Sequence, residues 1–232
     1  WLPGIQVMIA RDKEGSTDGL FLAAKGGNND ESHNHNDVGN FIVYNNGLPV
    51  LIDVGRGTYT RKTFSNQRYD IWSNCSDFHN LPTINGVTEP AGAKYKAEQV
   101  VYKKEKKSAS FSLDIRNAYP ATAGIRSWHR TIRLNRGKNL ELNDVIALDA
   151  ANKITEHFMT CYPAEVLRPG TLVIHSLSEA GGAMDFLMQY NAKQLRPAIE
   201  QVPLTAPEVQ GIKEQWGDHI YRINFEVVSP KA

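Results

Sequence analysis

Seven consecutive residues, Glu31-Ser-His33-Asn-His35-Asn-Asp37, bring two imidazoles, two carboxylates and two side-chain amides into one short stretch. A third histidine in similar company, Phe78-His79-Asn80, lies well downstream. Between them, Leu48-Pro-Val-Leu-Ile-Asp53 carries an apolar run onto a carboxylate. Three His and two Asp at the ends of apolar runs are a metal-site composition, because a divalent ion takes neutral imidazoles and ionised carboxylates held on rigid elements. His35, Asp53 and His79 supply two nitrogens and one oxygen, a set that suits Zn²⁺ with water or another group as fourth ligand. They are far apart in sequence, so such a site ties three strands or loops together. The alternative is three separate polar residues at strand ends, each hydrogen-bonded locally. If the His33 segment is extended, strand alternation puts His33, His35 and Asp37 on one face.

Other chemistries fit less well. Gly27, five residues and then His33-x-His35 match the first half of a cupin metal signature. That signature next requires a Glu, whereas Gly39 and Asn40 stand there and no Glu occurs between His35 and His79. The chain has no Gly-rich phosphate loop, nucleophile elbow or His-Glu-x-x-His helix. His129 falls on the polar face of an alternating run and is expected to be exposed. His157, His175 and His219 lie within or beside apolar runs without a second ligand near in sequence, which favours structural roles.

The elements that must hold these residues read as strands. Phe41–Tyr44, Pro49–Asp53, Val100–Tyr102, Ser110–Ile115, Ser127–Arg133, Leu140–Ile146, Thr171–Ile174 and Tyr221–Val227 are short and rich in β-branched and aromatic residues. Asn45-Asn-Gly47, Asn85-Gly86, Asn135-Arg-Gly137, Arg168-Pro-Gly170, Gly181-Gly182 and Trp216-Gly-Asp218 punctuate them as turns. Trp128, Arg130, Ile132 and Leu134 share one face, and His129, Thr131 and Arg133 the other, as in a half-buried antiparallel sheet. The best helical signal, Thr63 to Asn74, suits a short helix or turn. Pro197 to Gln215 is poor in strand signal and reads as a surface excursion. The expected fold is all-β: one large antiparallel β-sandwich over residues 1–232, with little helix.

At 232 residues the chain can bury a substantial core. Its net charge of +1 gives no electrostatic footprint for nucleic acid. The densest basic run, Lys103-Lys104-Glu105-Lys106-Lys107, reads as an exposed turn between strands. Cys75 and Cys161 allow one bridge or two free thiols. No apolar stretch approaches the length of a membrane span. The chain opens on Trp1 without Met or signal peptide, as expected of a mature or excised fragment.

From His33 to about Lys96 the sequence resembles the core of the heparinase II/III-like domain, the β-sandwich module at the C-terminal end of a group of polysaccharide lyases. The matching residues are Ser32-His-Asn-His-Asn-Asp-Val-Gly-Asn40, Gly47-Leu-Pro-Val-Leu-Ile-Asp53-Val-Gly55, Thr58-Tyr-Thr60, Gln67-Arg-Tyr-Asp-Ile-Trp72 and Phe78-His-Asn-Leu-Pro-Thr-Ile-Asn-Gly86. The stretch covers about a quarter of the chain, and the matches fall along it in order. The opening Trp1-Leu-Pro-Gly-Ile-Gln is similar to the point where the family's chain enters its β domain.

The resemblance implies a two-domain enzyme whose N-terminal α/α toroid, absent here, meets this sandwich at a cleft for an acidic polysaccharide such as heparan sulfate, heparin or alginate. It implies β-elimination at a uronic acid, in which C5 loses its proton and the 4-linked oxygen leaves. Polar or cationic groups must neutralise the charge that builds on the carboxylate, and a Tyr or His must move the proton. By the resemblance His33 joins the catalytic groups, while His35, Asp53 and His79 hold a metal, commonly zinc, in a chiefly structural role. Separate jobs for His33 and His35 conflict with simple alternation and require a twist or bulge. Asp37 then becomes a candidate to orient an imidazole or to cap the loop before Gly39. The family's catalytic Tyr belongs to the absent domain, and Tyr59 and Tyr69 read as packing or cleft-wall residues. Arg56, Arg61, Lys62 and Arg68 are candidate partners for substrate carboxylate or sulfate. The resemblance further implies export to a bacterial periplasm or cell surface, and a fragment inactive by itself. The competing expectation is a metal-stabilised carbohydrate-binding or structural module without chemistry.

Overall fold

A computed structural model describes residues 1–149, 153–177, 183–228 and 230, with residues 177 and 183 described by backbone alone. The Gly181-Gly182 turn lies outside the described residues. Half of the chain is strand and 13% helical, which makes the class all-β as expected.

Among the described residues every strand pair is antiparallel. One sheet runs β1 (Val7–Arg11), β2 (Leu20–Lys25), β4 (Phe41–Asn45), β5 (Leu48–Leu51). A second runs β11 (Asn139–Leu148), β10 (Ile125–Asn135), β9 (Ser108–Asp114), β8 (Glu98–Lys104). A third runs β16 (Leu195–Pro203), β17 (His219–Val227), β12 (Ile154–Thr160), β6 (Pro82–Ile84). A smaller sheet joins β13 (Ala164–Arg168), β14 (Thr171–Leu177) and β15 (Ala183–Gln189), and β3 (Asn28–Asn29) pairs with β7 (Gly92–Lys96).

Alternation decides what is buried. In β10, Trp128, Arg130, Ile132 and Leu134 are wholly buried while His129 and Arg133 face solvent, as the pattern requires. Their inward face joins Met8, Leu22, Phe41, Phe111, Phe158 and Phe225 in the main core. A second core of Ile52, Val54, Met159, Leu204, Val209, Ile212 and Ile220 lies under the end of β5. The Lys103–Lys107 run spans the end of β8 and the turn into β9.

Two expectations need correction. Pro197 to Gln215 is no surface excursion: Leu195–Pro203 pairs with β17 along its length, and Gln210–Trp216 forms the helix α1. Pro197 and Pro203 disguised the strand, yet β16 is at the sheet edge, where a residue without N–H is tolerated. The His33 segment is not extended. Residues 31–40 form turns, and His33 adopts a left-handed conformation with φ +57°. Of the two options for the cysteines, both thiols are free. The Thr63–Asn74 stretch is a chain of single 3₁₀ turns, Lys62–Phe64, Arg68–Asp70 and Trp72–Asn74, continued by Ser76–Phe78. Among the described residues, no helix is long and apolar enough to cross a membrane.

Candidate metal centre and the adjoining histidine

Three connections converge beyond the β4–β5 hairpin. The loop after β3 carries His33 and His35 and returns to β4. The chain leaving β5 is tied to β12 by the Ile52 N–H on the Met159 carbonyl at 2.9 Å, and Asp53 follows at once. The last 3₁₀ turn, Ser76–Phe78, delivers His79 in extended backbone. That turn is held by Arg222, which donates to the Asp77 carbonyl at 3.1 Å and lies 4.3 Å from the Phe78 ring centroid.

The side chains of His35, Asp53 and His79 meet there. Their ligand atoms all lie within 4.8 Å of one another. His35 Nδ1 is 3.3 Å from His79 Nε2, and His79 Nε2 is 3.5 Å from Asp53 Oδ2. Nitrogen and oxygen donors about 2.0–2.1 Å from a tetrahedral ion stand roughly 3.3–3.4 Å apart, so these two separations fit zinc. The tautomer fits as well. His79 Nδ1 lies 2.9 Å from the Cys75 carbonyl, which can only accept; the proton therefore sits on Nδ1 and Nε2 presents its lone pair to the group. Burial, aided by the neighbouring His79, lowers the His35 pKa to about 4, which leaves that imidazole neutral at physiological pH. Burial alone would raise the Asp53 carboxyl, but the His79 and His35 rings and the Gly55 N–H outweigh it and hold the pKa below its ordinary value. A neutral His35 beside an ionised Asp53 is the state a divalent ion requires of these two groups.

His33 faces elsewhere. Its left-handed backbone breaks the alternation that would have aligned it with His35. Such a conformation costs roughly 1–3 kcal/mol in a residue other than glycine, and such sites cluster where function fixes a side chain. The exposed His33 ring stacks on Tyr59 at 5.9 Å, with Nδ1 3.2 Å from the Tyr59 hydroxyl. Arg56 lies over the other ring at 5.1 Å, and Phe64 meets both rings edge-on. A cavity of about 130 Å³ opens here, lined among others by His33, His35, Arg56, Tyr59 and Arg68. The loop carrying Arg56 and Tyr59 is braced by the unexpected α1 region: Thr58 N–H donates to the Glu208 carbonyl at 2.8 Å, and Trp216 Nε1 to the Val54 carbonyl at 3.0 Å. A side chain at Gly57 would collide with that same Glu208 carbonyl.

The remaining candidates divide. Asp37 accepts from Lys25 Nζ at 2.7 Å, and its backbone N–H donates to Asn29, so its strongest partner is a lysine and not an imidazole. Arg68 lines the cavity, yet three of its N–H groups go to the Asn34 and Thr63 carbonyls at 2.7–2.9 Å; it staples the His33 loop to the 3₁₀ wall. Arg61 is exposed and is not part of the cavity lining, and Lys62 lies 3.9 Å from Asp70. Tyr69 accepts from Asn34 Nδ2 and is not part of the cavity lining, whereas Tyr59 is. His157 is buried between Thr83 and Asn224, His175 sits on the surface between Glu165 and Asp185, and His219 contacts Tyr221.

Sequence reasoning missed the Tyr59–His33 pair, whose spacing carries no period because a turning loop makes the contact. It also missed Glu89, buried beneath the His33 loop. Glu89 accepts from Asn29 Nδ2 and Val38 N–H, while its carbonyl accepts from Asn36. The signal available was an isolated acid, Glu89, between Thr88 and Pro90.

The family model described as Heparinase II/III-like, C-terminal, matches residues 4–196. Among solved structures, a heparinase III gene product with methylated lysines superposes with a TM-score of 0.67 at 15% identity, over 96% of this chain and 31% of its own. The heparan sulfate lyase HepC from Pedobacter heparinus superposes with a TM-score of 0.63 at 13% identity, over 96% of this chain and 32% of its own. A further heparinase III gives 0.53 at 13% identity, over 98% and 36%. The chain thus spans about a third of the length of these proteins, and at such identities the likeness is one of fold. Comparison with curated protein sequences finds no match.

Proposed function

The chain belongs to the heparinase II/III-like C-terminal family, and on that premise we propose that it is the β-sandwich part of a polysaccharide lyase that cleaves uronate-containing glycans by β-elimination. The observation that carries this reading is the division of the His-x-His pair. His33 stands exposed at a cavity beside Tyr59 and Arg56, while His35 turns inward to Asp53 and His79.

In the reaction a base removes the C5 proton, the C5–H electrons form the C4–C5 double bond, and the C4–O bond breaks with a proton passing to the leaving oxygen. We assign the base to a Tyr in an N-terminal α/α domain that joins this chain in the full enzyme. The residues here meet the charge that builds on the uronate carboxylate. With the Tyr59 hydroxyl donating to Nδ1, His33 keeps its proton on Nε2 and can donate it to a carboxylate oxygen, while Arg56 adds positive charge at the same mouth. His35, Asp53 and His79 would hold a zinc ion, whose chemistry here is to cross-link three loops and keep the cavity wall in place. Arg61 is a weaker candidate for substrate contact, and Arg68 acts through the loop that it staples. The 232-residue chain alone should turn over little or no substrate. An enzyme acting on extracellular glycans would be exported to the periplasm or cell surface.

The exposed Tyr59 and Phe64 rings, 43% and 69% accessible, would equally suit a sugar-binding module without chemistry. The full-length enzyme separates the two. Incubated with uronate polymers, it should release 4,5-unsaturated ends, followed by ultraviolet absorbance, and His33→Ala should lower turnover by about 10²–10⁴-fold. Binding of the polymer with no unsaturated product would favour the module.

A further inference from the structure

Two of the three candidate ligands, Asp53 and His79, are joined by two buried asparagines. Asn40 is 4% exposed. Its Nδ2 donates to Asp53 Oδ2 at 2.8 Å, and its Oδ1 accepts from the Asn80 backbone N–H at 3.0 Å. Asn80 follows His79 directly and is fully buried. Its Nδ2 donates to the Phe41 carbonyl at 2.6 Å and to the Ile52 carbonyl at 3.0 Å, and its Oδ1 accepts from the Met159 N–H at 2.7 Å. Its own carbonyl accepts from Arg130 Nη1 at 2.9 Å. Each polar atom of Asn80 has a partner, and the partners lie on β4, the end of β5, β12 and β10.

The effect falls on the ligand atoms. Asp53 Oδ2 is the oxygen that faces His79, and Asn40 fixes it; Oδ1 is fixed in turn by the Gly55 N–H at 2.8 Å. The carboxylate is therefore held at both oxygens and cannot rotate freely. Asn80 holds the carbonyl of Ile52, next to Asp53, and the backbone next to His79. Two ligands that are distant in sequence are thus set at one separation by one side chain. An apolar residue of the same size would fill the space at either position, but it would leave these strand-end carbonyls and N–H groups unpaired.

We infer that Asn40 and Asn80 are positioning residues that preset Asp53 and His79 for the ion. The inference rests on the proposed role of His35, Asp53 and His79 as ligands. Partners of this kind are worth about 10–100-fold in metal affinity.

The test uses zinc itself. Affinity is measured by competition with a chromogenic chelator on the 232-residue chain, unaltered and as Asn40→Leu, and the visible spectrum of bound Co²⁺ reports ligand geometry. Expected are a fall in zinc affinity of about 10–100-fold and an altered Co²⁺ spectrum, with unchanged far-ultraviolet circular dichroism. Unchanged affinity with equal losses of melting temperature in the metal-free and zinc-loaded chains would overturn the inference, since Asn40 would then serve packing alone. Should Asn40→Leu not fold, Asn40→Ser is read in the same way; failure of both to fold, where His35→Ala folds, would also overturn it. If the unaltered chain takes up no zinc, the ligand assignment itself fails.

Discussion

Removing the guanidinium of Arg130 should be the most damaging single change in the sandwich. The side chain is wholly buried in β10. It donates to Asp144 at 2.7 and 3.0 Å, to Glu156 at 2.9 Å and to the Asn80 carbonyl at 2.9 Å. Arg130→Met keeps much of the volume and leaves two inward carboxyls and the Asn80 and Gly39 carbonyls without this donor. Breaking a buried ion pair from one side costs about 3–5 kcal/mol. In a chain of this length each kcal/mol moves the melting temperature by roughly 2–4 °C, so a drop of about 6–20 °C is expected by scanning calorimetry. One guanidinium does not neutralise two buried carboxylates: burial pushes the Glu156 pKa up to about 8 against the pull of Arg130, so this carboxyl holds its proton to higher pH than it would in water. Part of the penalty is therefore already absorbed, which favours the lower half of the range. The pH dependence has a definite sign. Without Arg130 the pull on Glu156 is gone, so its folded-state pKa lies still further above the unfolded value. The folded variant then keeps a proton that the folded unaltered chain releases near pH 8, so the deficit of Arg130→Met grows as pH rises through about 8. Replacing Asp144 and Glu156 by Leu in the same variant should restore most of the loss. A loss below about 1 kcal/mol, or a deficit that shrinks with rising pH, would refute this reasoning.

Glu89 gives a related signature under the His33 loop. Burial raises its pKa to about 8, opposed by the Asn29 and Val38 donors. Its contribution therefore weakens stability as pH rises from the unfolded carboxyl value toward 8, and Glu89→Gln, which cannot ionise, should match the unaltered chain near pH 5 and exceed it by about 1 kcal/mol or more at pH 8.5. Parallel stability curves would show that Glu89 does not hold that proton. Arg68→Ala should cost about 2 kcal/mol or more by freeing the Asn34 and Thr63 carbonyls. It should also speed hydrogen exchange across residues 31–40, and Arg68→Lys should not rescue it, since an ammonium lacks the guanidinium fork.

The sequence carried the strands whose two faces differ. Ser127–Arg133 is legible because Trp128, Ile132 and Leu134 alternate with polar residues, and its outward His129 is exposed as expected. Ile154–Thr160 is not, because β12 lies between β17 and β6 and is buried on nearly every residue, which erases the alternation. Leu195–Pro203 was hidden by prolines that only an edge position explains. At the site, His35, Asp53 and His79 were legible as a candidate ligand set from residue type and the family resemblance, and the fold brings the three together. Their partners were not. Asn40 and Asn80 are ordinary polar residues until the fold sets one beside Asp53 and the other between β4, β5 and β12. Arg130 was placed on the apolar face, but its pairing with Glu156 depends on two sheets meeting. The separation of His33 from His35 required one left-handed residue, and His is a type that the αL region tolerates without announcing it.

The most direct measurement is the zinc content, by elemental analysis, of chelator-free chain purified unaltered, as His33→Ala and as His35→Ala. About one equivalent per chain is predicted for the unaltered protein and for His33→Ala, with His35→Ala largely depleted. Equal depletion in both variants would make His33 a ligand and remove it from the cavity chemistry; an unaltered chain without metal would contradict the centre altogether.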